Sequence, residues 1–149
     1  MKVLVDTSVW SLALRKKTLT EEEKKIKSEL TDLIRELKVV IVGPIRQEIL
    51  SGISNEEKAS SLKRQLQAFD DLGLQQNDFE KAAEFSNTCR GNGIQGSHID
   101  FLICAVAHNN RLKIFTTDKD FSRYDTILPI ELYAIRAFTQ KRNIDDEIT

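Results

Sequence analysis

The sequence predicts an α/β fold, a three-layer α/β/α sandwich around a mostly parallel sheet. Three observations carry that expectation. Short β-branched apolar runs recur at Val3-Leu4-Val5, Lys38-Val39-Val40-Ile41-Val42 and Leu112-Lys113-Ile114-Phe115. They are continuous rather than alternating, as strands covered on both faces by helices are. Between them the apolar period changes to that of helices, and strands alternating with helices close into a layered fold with right-handed crossovers.

The first run ends in Asp6, and the helix after it is followed by Arg15-Lys16-Lys17. Thr20 and Glu23 have capping-box spacing and open a charged helix, 21–37, whose apolar stripe is Ile26, Leu30, Leu33, Ile34 and Leu37. The second run closes at Gly43-Pro44, and Pro44 and Gly52 bracket a short helix. Ser54 and Glu57 repeat the capping signal before Leu62, Leu66 and Phe69. Asn77, as cap, and Glu80 repeat it before Ala83 and Phe85. The segment from Ile99 to Ala107 is apolar nearly all round after Asp100 and predicts a buried helix. Weaker strand candidates lie at 72–75 and 130–133. No repeat or internal boundary breaks the pattern, so a single domain is expected over 1–138, with a polar tail over 139–149 that frays or binds a partner.

Composition narrows the class. At 149 residues the chain is one domain long. Its 40% hydrophobic and 30% charged residues, with Gly 6 and Pro 2, exclude collagen-like and low-complexity chains. No apolar run approaches about 20 residues, so no membrane span is expected. The start lacks the apolar stretch of a signal peptide. Cys89 and Cys104 are too few for a disulfide scaffold or a thiolate zinc site. A cytoplasmic protein with buried thiols is expected. Lys+Arg 22 against Asp+Glu 23 gives a net charge of −1, which counts against a protein that coats nucleic acid through bulk charge.

Carboxylates fall where such a fold collects ligands, at the carboxyl ends of the strands. Asp6 follows the first strand, and Asp118 and Asp120 follow the third. Glu48 sits between Ile45 and Ile49 on a helix face that should be apolar, and Asp100 opens the most apolar helix. Each acid has a structural alternative. Asp6 would cap the next helix, Asp100 would complete a capping box with Ser97, Glu48 would be a misplaced surface residue, and Asp118 and Asp120 would form turns. Converging carboxylates raise one another's pKa, and a divalent cation removes that conflict. Oxygen-only ligation favours Mg²⁺ or Mn²⁺ over Zn²⁺, and phosphodiester hydrolysis is the reaction class that such a site serves. His98 and His108 read as a helix-start and a helix-end residue, and no glycine-rich phosphate loop is present.

Four motifs in order resemble those of PIN-domain nucleases: Val5-Asp6-Thr7-Ser8-Val9-Trp10, Arg46-Gln47-Glu48-Ile49, the helix from Asp100 to Ala107, and Thr116-Thr117-Asp118-Lys119-Asp120-Phe121. The compact length is similar to that of VapC-type toxins of toxin–antitoxin modules. The resemblance implies an Mg²⁺- or Mn²⁺-dependent endoribonuclease acting on RNA, a homodimer, and neutralisation by a small protein antitoxin. It makes Asp6, Glu48, Asp100 and Asp118 the acidic quartet. Asp6, Asp100 and Asp118 would ligate metal, and Glu48 would hold a second metal or position the attacking water. Asp120 is auxiliary, and Thr7, Ser8 and Thr116 orient a carboxylate or water. Arg15, Lys16, Arg46 and Lys119 are candidates for contacting phosphate. The rival readings are an antitoxin-independent PIN nuclease in RNA processing, a non-catalytic metal- or RNA-binding module, and a phosphatase with Asp6 as nucleophile. The last lacks a second Asp two residues on, where Ser8 stands.

Overall fold

The computed structural model describes residues 1–136. β1 (Val3–Val5) lies at the centre of a parallel sheet, flanked by β2 (Val39–Val40) and β3 (Lys113–Phe115) in the order β2-β1-β3. Val3 pairs with Val39 and Lys113, and Leu4 with Val40 and Ile114. All three residues of β1 are buried, as a central strand of a covered sheet must be. The two weaker strand candidates are single parallel bridges, Ile41 to Asp71 and Ile114 to Leu132. Leu72 N–H donates to the Ile41 carbonyl at 2.9 Å, and Tyr133 N–H to the Ile114 carbonyl at 2.8 Å. Gly73 and Pro129 beside these bridges are residues that weaken strand pairing.

Among the described residues the sheet carries seven helices: α1 (Thr7–Leu14), α2 (Glu21–Arg35), α3 (Gly43–Leu50), α4 (Glu56–Leu66), α5 (Gln76–Gly91), α6 (His98–Asn109) and α7 (Asp120–Asp125). They complete the expected α/β sandwich. α1 packs on α2 and α3, and α3 on α4; α5 and α6 pair extensively, and α6 meets β3. α6 buries Phe101, Ile103, Cys104, Ala105, Val106 and Ala107, which explains its lack of a polar face. Each fully buried Leu, Ile or Phe contributes roughly 1.5–3 kcal/mol by leaving water. Both cysteines are free and buried. Among the described residues no helix is long and apolar enough to cross a membrane.

The Thr20–Glu23 capping box forms in both directions, at 3.2 and 3.0 Å. Three local expectations shift. The cap of α4 is Asn55 rather than Ser54, its Oδ1 accepting from Lys58 N–H at 3.0 Å. α5 starts before Asn77. Gln75 N–H donates to Asp78 Oδ2, and Asn109 of α6 donates to Asp78 Oδ1, both at 2.8 Å. That tertiary anchor makes buried Asp78, not Glu80, the acid of this helix start. Leu37 leaves the apolar stripe: it lies past the end of α2 at φ 58° and is 82% exposed. This left-handed position ends the helix, as a glycine usually does. The expected domain limit at 138 and the polar tail 139–149 fall outside the described residues.

Candidate functional site

Asp6 ends β1, and its backbone N–H donates to the Phe115 carbonyl at the end of β3, at 2.9 Å. The neighbouring strand ends are thereby knitted together. Asp6 occupies the N-cap position of α1, yet its carboxylate caps nothing. Oδ2 instead accepts from Ser8 Oγ and from Thr116 Oγ1, each at 2.8 Å. Thr116 Oγ1 in turn accepts from Asp118 N–H at 3.0 Å, and Ser8 Oγ from Thr117 N–H at 3.0 Å. Two hydroxyls from different segments thus fix one oxygen of a nearly buried carboxylate, 6% exposed.

Asp100 enters from the first turn of α6. Ser97 caps that helix by accepting from Asp100 N–H at 3.1 Å, so half of the expected capping box exists. Asp100 Oδ2 accepts from the Tyr124 phenol of α7 at 2.7 Å. Asp118 follows β3 and forms the expected turn, Oδ1 accepting from Asp120 N–H at 2.9 Å. Oxygens of Asp100, Asp118 and Asp120 all lie within 4.8 Å of one another, a spacing that one cation can span. Asp120 is therefore as close to the cluster as Asp118, although it also pairs with Arg123 at 3.3 Å.

Glu48 stands between the fully buried Ile45 and Ile49 on α3, half-buried itself. Burial raises its pKa, and the charges of Asp6 and Asp100 raise it further, against a hydrogen bond from Thr7 that lowers it. Burial likewise pushes up Asp100, as do Asp118 and Asp6, while hydrogen bonds from Tyr124 and Ser97 oppose the rise. The four acids therefore share one electrostatic neighbourhood. Thr7 Oγ1 is buried without a well-formed hydrogen bond. It sits next to Glu48, whose carboxylate it influences. Oxygen ligands and mutual repulsion together fit a hard divalent cation such as Mg²⁺ or Mn²⁺.

The basic candidates divide. Arg15 is exposed at the end of α1, and Lys119 is exposed at the start of α7. Lys16 is exposed and paired with Glu23 at 2.5 Å. Arg46 has a different occupation from the one expected. Its guanidinium donates to Asp71 Oδ1 at 2.9 Å, to the Leu66 carbonyl at 2.8 Å and to the Phe69 carbonyl at 2.5 Å. It clamps the turn after α4. His98 starts α6, and His108 ends it with Nδ1 3.1 Å from the Pro129 carbonyl, as expected.

Sequence reasoning missed Tyr124 and Gly96. Tyr124 is fully buried, its ring centroid 5.1 Å from that of Phe101 and 5.3 Å from that of Phe121. A Cβ at Gly96 would overlap the Tyr124 phenol and stand 2.8 Å from Phe101 Cζ. The glycine makes room for the tyrosine that holds Asp100. Only the spacing of Tyr124 from Phe121 along α7 hinted at an inward face.

Comparison with solved structures returns the same fold. The chain is similar to FitAcB from Neisseria gonorrhoeae, with 21% identity, a TM-score of 0.71, and coverage of 89% of this chain and 96% of that one. It is also similar to VapBC2 from Rickettsia felis bound to a DNA fragment from their promoter (17% identity, TM-score 0.71, 89% and 98% covered). A third is VapBC-5 of the VapBC family of toxin–antitoxin systems from Mycobacterium tuberculosis (17% identity, TM-score 0.62, 91% and 98% covered). No curated protein matches in sequence. The family model for the PIN domain matches residues 3–127, a span that contains every carboxylate of the cluster, and the chain belongs to the PIN-domain family.

Proposed function

We propose that this protein is a divalent-cation-dependent endoribonuclease and the toxin of a toxin–antitoxin pair. The observation that carries the reading is the carboxylate trio Asp100, Asp118 and Asp120, whose oxygens one ion can span, with Asp6 and Glu48 close enough to be felt electrostatically. Asp6, Asp100 and Asp118 would hold Mg²⁺ or Mn²⁺, with Asp120 close enough to share in it. Such an ion acidifies a bound water and stabilises the charge that builds on a phosphate during displacement. Ser8 and Thr116 keep Asp6 Oδ2 in place. Glu48, with its raised pKa, is suited to accept or position a proton of the water, helped by the adjacent Thr7 hydroxyl. Arg15, Lys16 and Lys119 offer cations for the phosphates of the strand.

The toxin assignment draws on solved neighbours such as VapBC-5, a member of the VapBC family of toxin–antitoxin systems. The same proposal includes a small protein antitoxin, a homodimeric state, a cytoplasmic location and one PIN unit over 1–138. The test is expression of wild-type chain and of Asp6→Asn. Wild type should arrest growth and generate new RNA ends, and the purified protein should cut RNA only with Mg²⁺ or Mn²⁺. Asp6→Asn should do neither while keeping its thermal transition. Cleavage by that variant at the wild-type rate would overturn the reading. A small reading frame beside the gene whose product restores growth would support the toxin assignment.

A further inference from the structure

A groove of about 750 Å³ lies between the end of α1, the middle of α2, the loop over 52–55 and α4. Five cations among the described residues line it: Arg15, Lys16, Lys17, Lys27 and Lys58. Among the described residues no carboxylate does. All five are exposed, and among the described residues only Lys16 makes an ion pair. In a chain of net charge −1 this is a pronounced local excess of positive charge.

The groove is joined to the carboxylate cluster by two short pieces of chain. α1 runs from Asp6 at the cluster to Arg15 at the groove, a distance of about 12 Å along an eight-residue helix. Gly52 on the groove wall follows Glu48 by four residues, just past the end of α3. A strand that brings a phosphodiester against several carboxylates meets repulsion there, and cations close by offset it. Among the described residues no aromatic side chain lines the groove, so they offer phosphate contacts rather than base stacking. The wall offers ammonium and guanidinium groups with the hydroxyls of Ser54 and Ser61, which suit phosphate and sugar.

From this juxtaposition we infer that the groove binds the phosphate backbone of the single-stranded RNA substrate on one side of the cleavage point, without reading its sequence. The inference rests on the nuclease reading above and adds Lys17, Lys27 and Lys58 as backbone contacts.

The test measures binding of a fluorescent single-stranded oligoribonucleotide in EDTA, where hydrolysis does not contribute. Each phosphate contact in a single strand contributes about 0.7 to the slope of log affinity against log salt. The triple variant Lys17→Gln, Lys27→Gln, Lys58→Gln should therefore lose about 2 from that slope. The single variants Lys27→Gln and Lys58→Gln, on different helices, should each lose about 0.7. Thermal transitions report that each variant is folded. A wild-type slope in all three variants would overturn the inference. So would unchanged RNA binding together with lost binding of a polyglutamate peptide, which would assign the groove to an acidic protein segment. Failure of the nuclease reading is seen separately, as undiminished cleavage by Asp6→Asn.

Discussion

The phenol of Tyr124 donates a 2.7 Å hydrogen bond to Asp100 Oδ2 from a position with no solvent access. The bond fixes the carboxylate rotamer at the mouth of α6. It also ties α7, which follows Asp118, to the helix that carries Asp100. A partner of this kind orients a metal-binding carboxylate without touching the metal.

Tyr124→Phe keeps the ring between Phe101 and Phe121 and removes only the hydroxyl. Mn²⁺ affinity, read by electron paramagnetic resonance of the free ion, should fall roughly 10-fold. The thermal transition should move little, because one neutral hydrogen bond contributes about 1 kcal/mol. Unchanged affinity would deny Tyr124 a positioning role.

Gly96→Ala should reach the same carboxylate from the other side. The new methyl meets Tyr124 and Phe101 too closely. Overpacking of this kind costs about 1–3 kcal/mol and should displace the phenol from Asp100. Tm and Mn²⁺ affinity should then fall together. In the Gly96→Ala background, Tyr124→Phe should cost less affinity than it does alone, since the bond it removes is already disturbed. Full additivity would mean that the two residues act separately.

These two residues mark the limit of what could be read from the chain. Strands and capping signals that depend on near neighbours were legible: Val3–Val5, the Thr20–Glu23 box and the all-apolar α6 stand where the pattern puts them. So was the convergence of acids, because strand ends in a parallel sheet share an edge. Arg46 was not legible. A basic residue two positions before Glu48 reads as a phosphate contact, but its partners lie 20 to 25 residues away, at Leu66, Phe69 and Asp71. Tyr124 is 24 residues from Asp100 and lies on another element. Asp78 displaces Asn77 from the start of α5 through a bond to Asn109, 31 residues on. In each case a long-range hydrogen bond overrides a plausible local role.

The raised pKa values of Glu48 and Asp100 give the cation-free protein a distinctive pH response. Both carboxyls ionise above their ordinary values of 4.5 and 3.8 in the fold. The folded state therefore holds protons that the unfolded state has released, and stability falls as pH rises through that interval. The penalty is complete above the raised values and absent below the ordinary ones. Glu48→Gln removes the Glu48 share. At neutral pH in EDTA its Tm should exceed that of wild type by roughly 2 °C, a modest effect because the group is partly solvated. The gap should close below the ordinary glutamate range, and Mg²⁺ should narrow it by raising the wild type. A gap that persists unchanged in acid would mean that charge is not its cause.

A buried carboxylate outside the cluster, Glu29, carries the last expectation. Glu29 on α2 is wholly buried and accepts from Arg136 three times: backbone N–H at 2.7 Å, Nε at 3.1 Å and Nη2 at 2.7 Å. Arg136 Nη1 also reaches Glu36, at 2.8 Å. Glu29 lies on the buried side of α2 beside Leu30 and Leu33, where a charge is tolerated only with such partners. Arg136→Ala keeps the backbone bond and deletes both guanidinium bonds to Glu29. Breaking a buried pair from one side costs about 3 kcal/mol or more, and the lower end applies because Arg136 is 33% exposed. Tm should fall by roughly 6–12 °C for a chain of this length. Adding Glu29→Gln should recover part of the loss, since a buried amide costs less than a buried carboxylate that has lost its cation. If the double variant were no more stable than Arg136→Ala, the pairing would be incidental and α2 would be held by its apolar stripe alone.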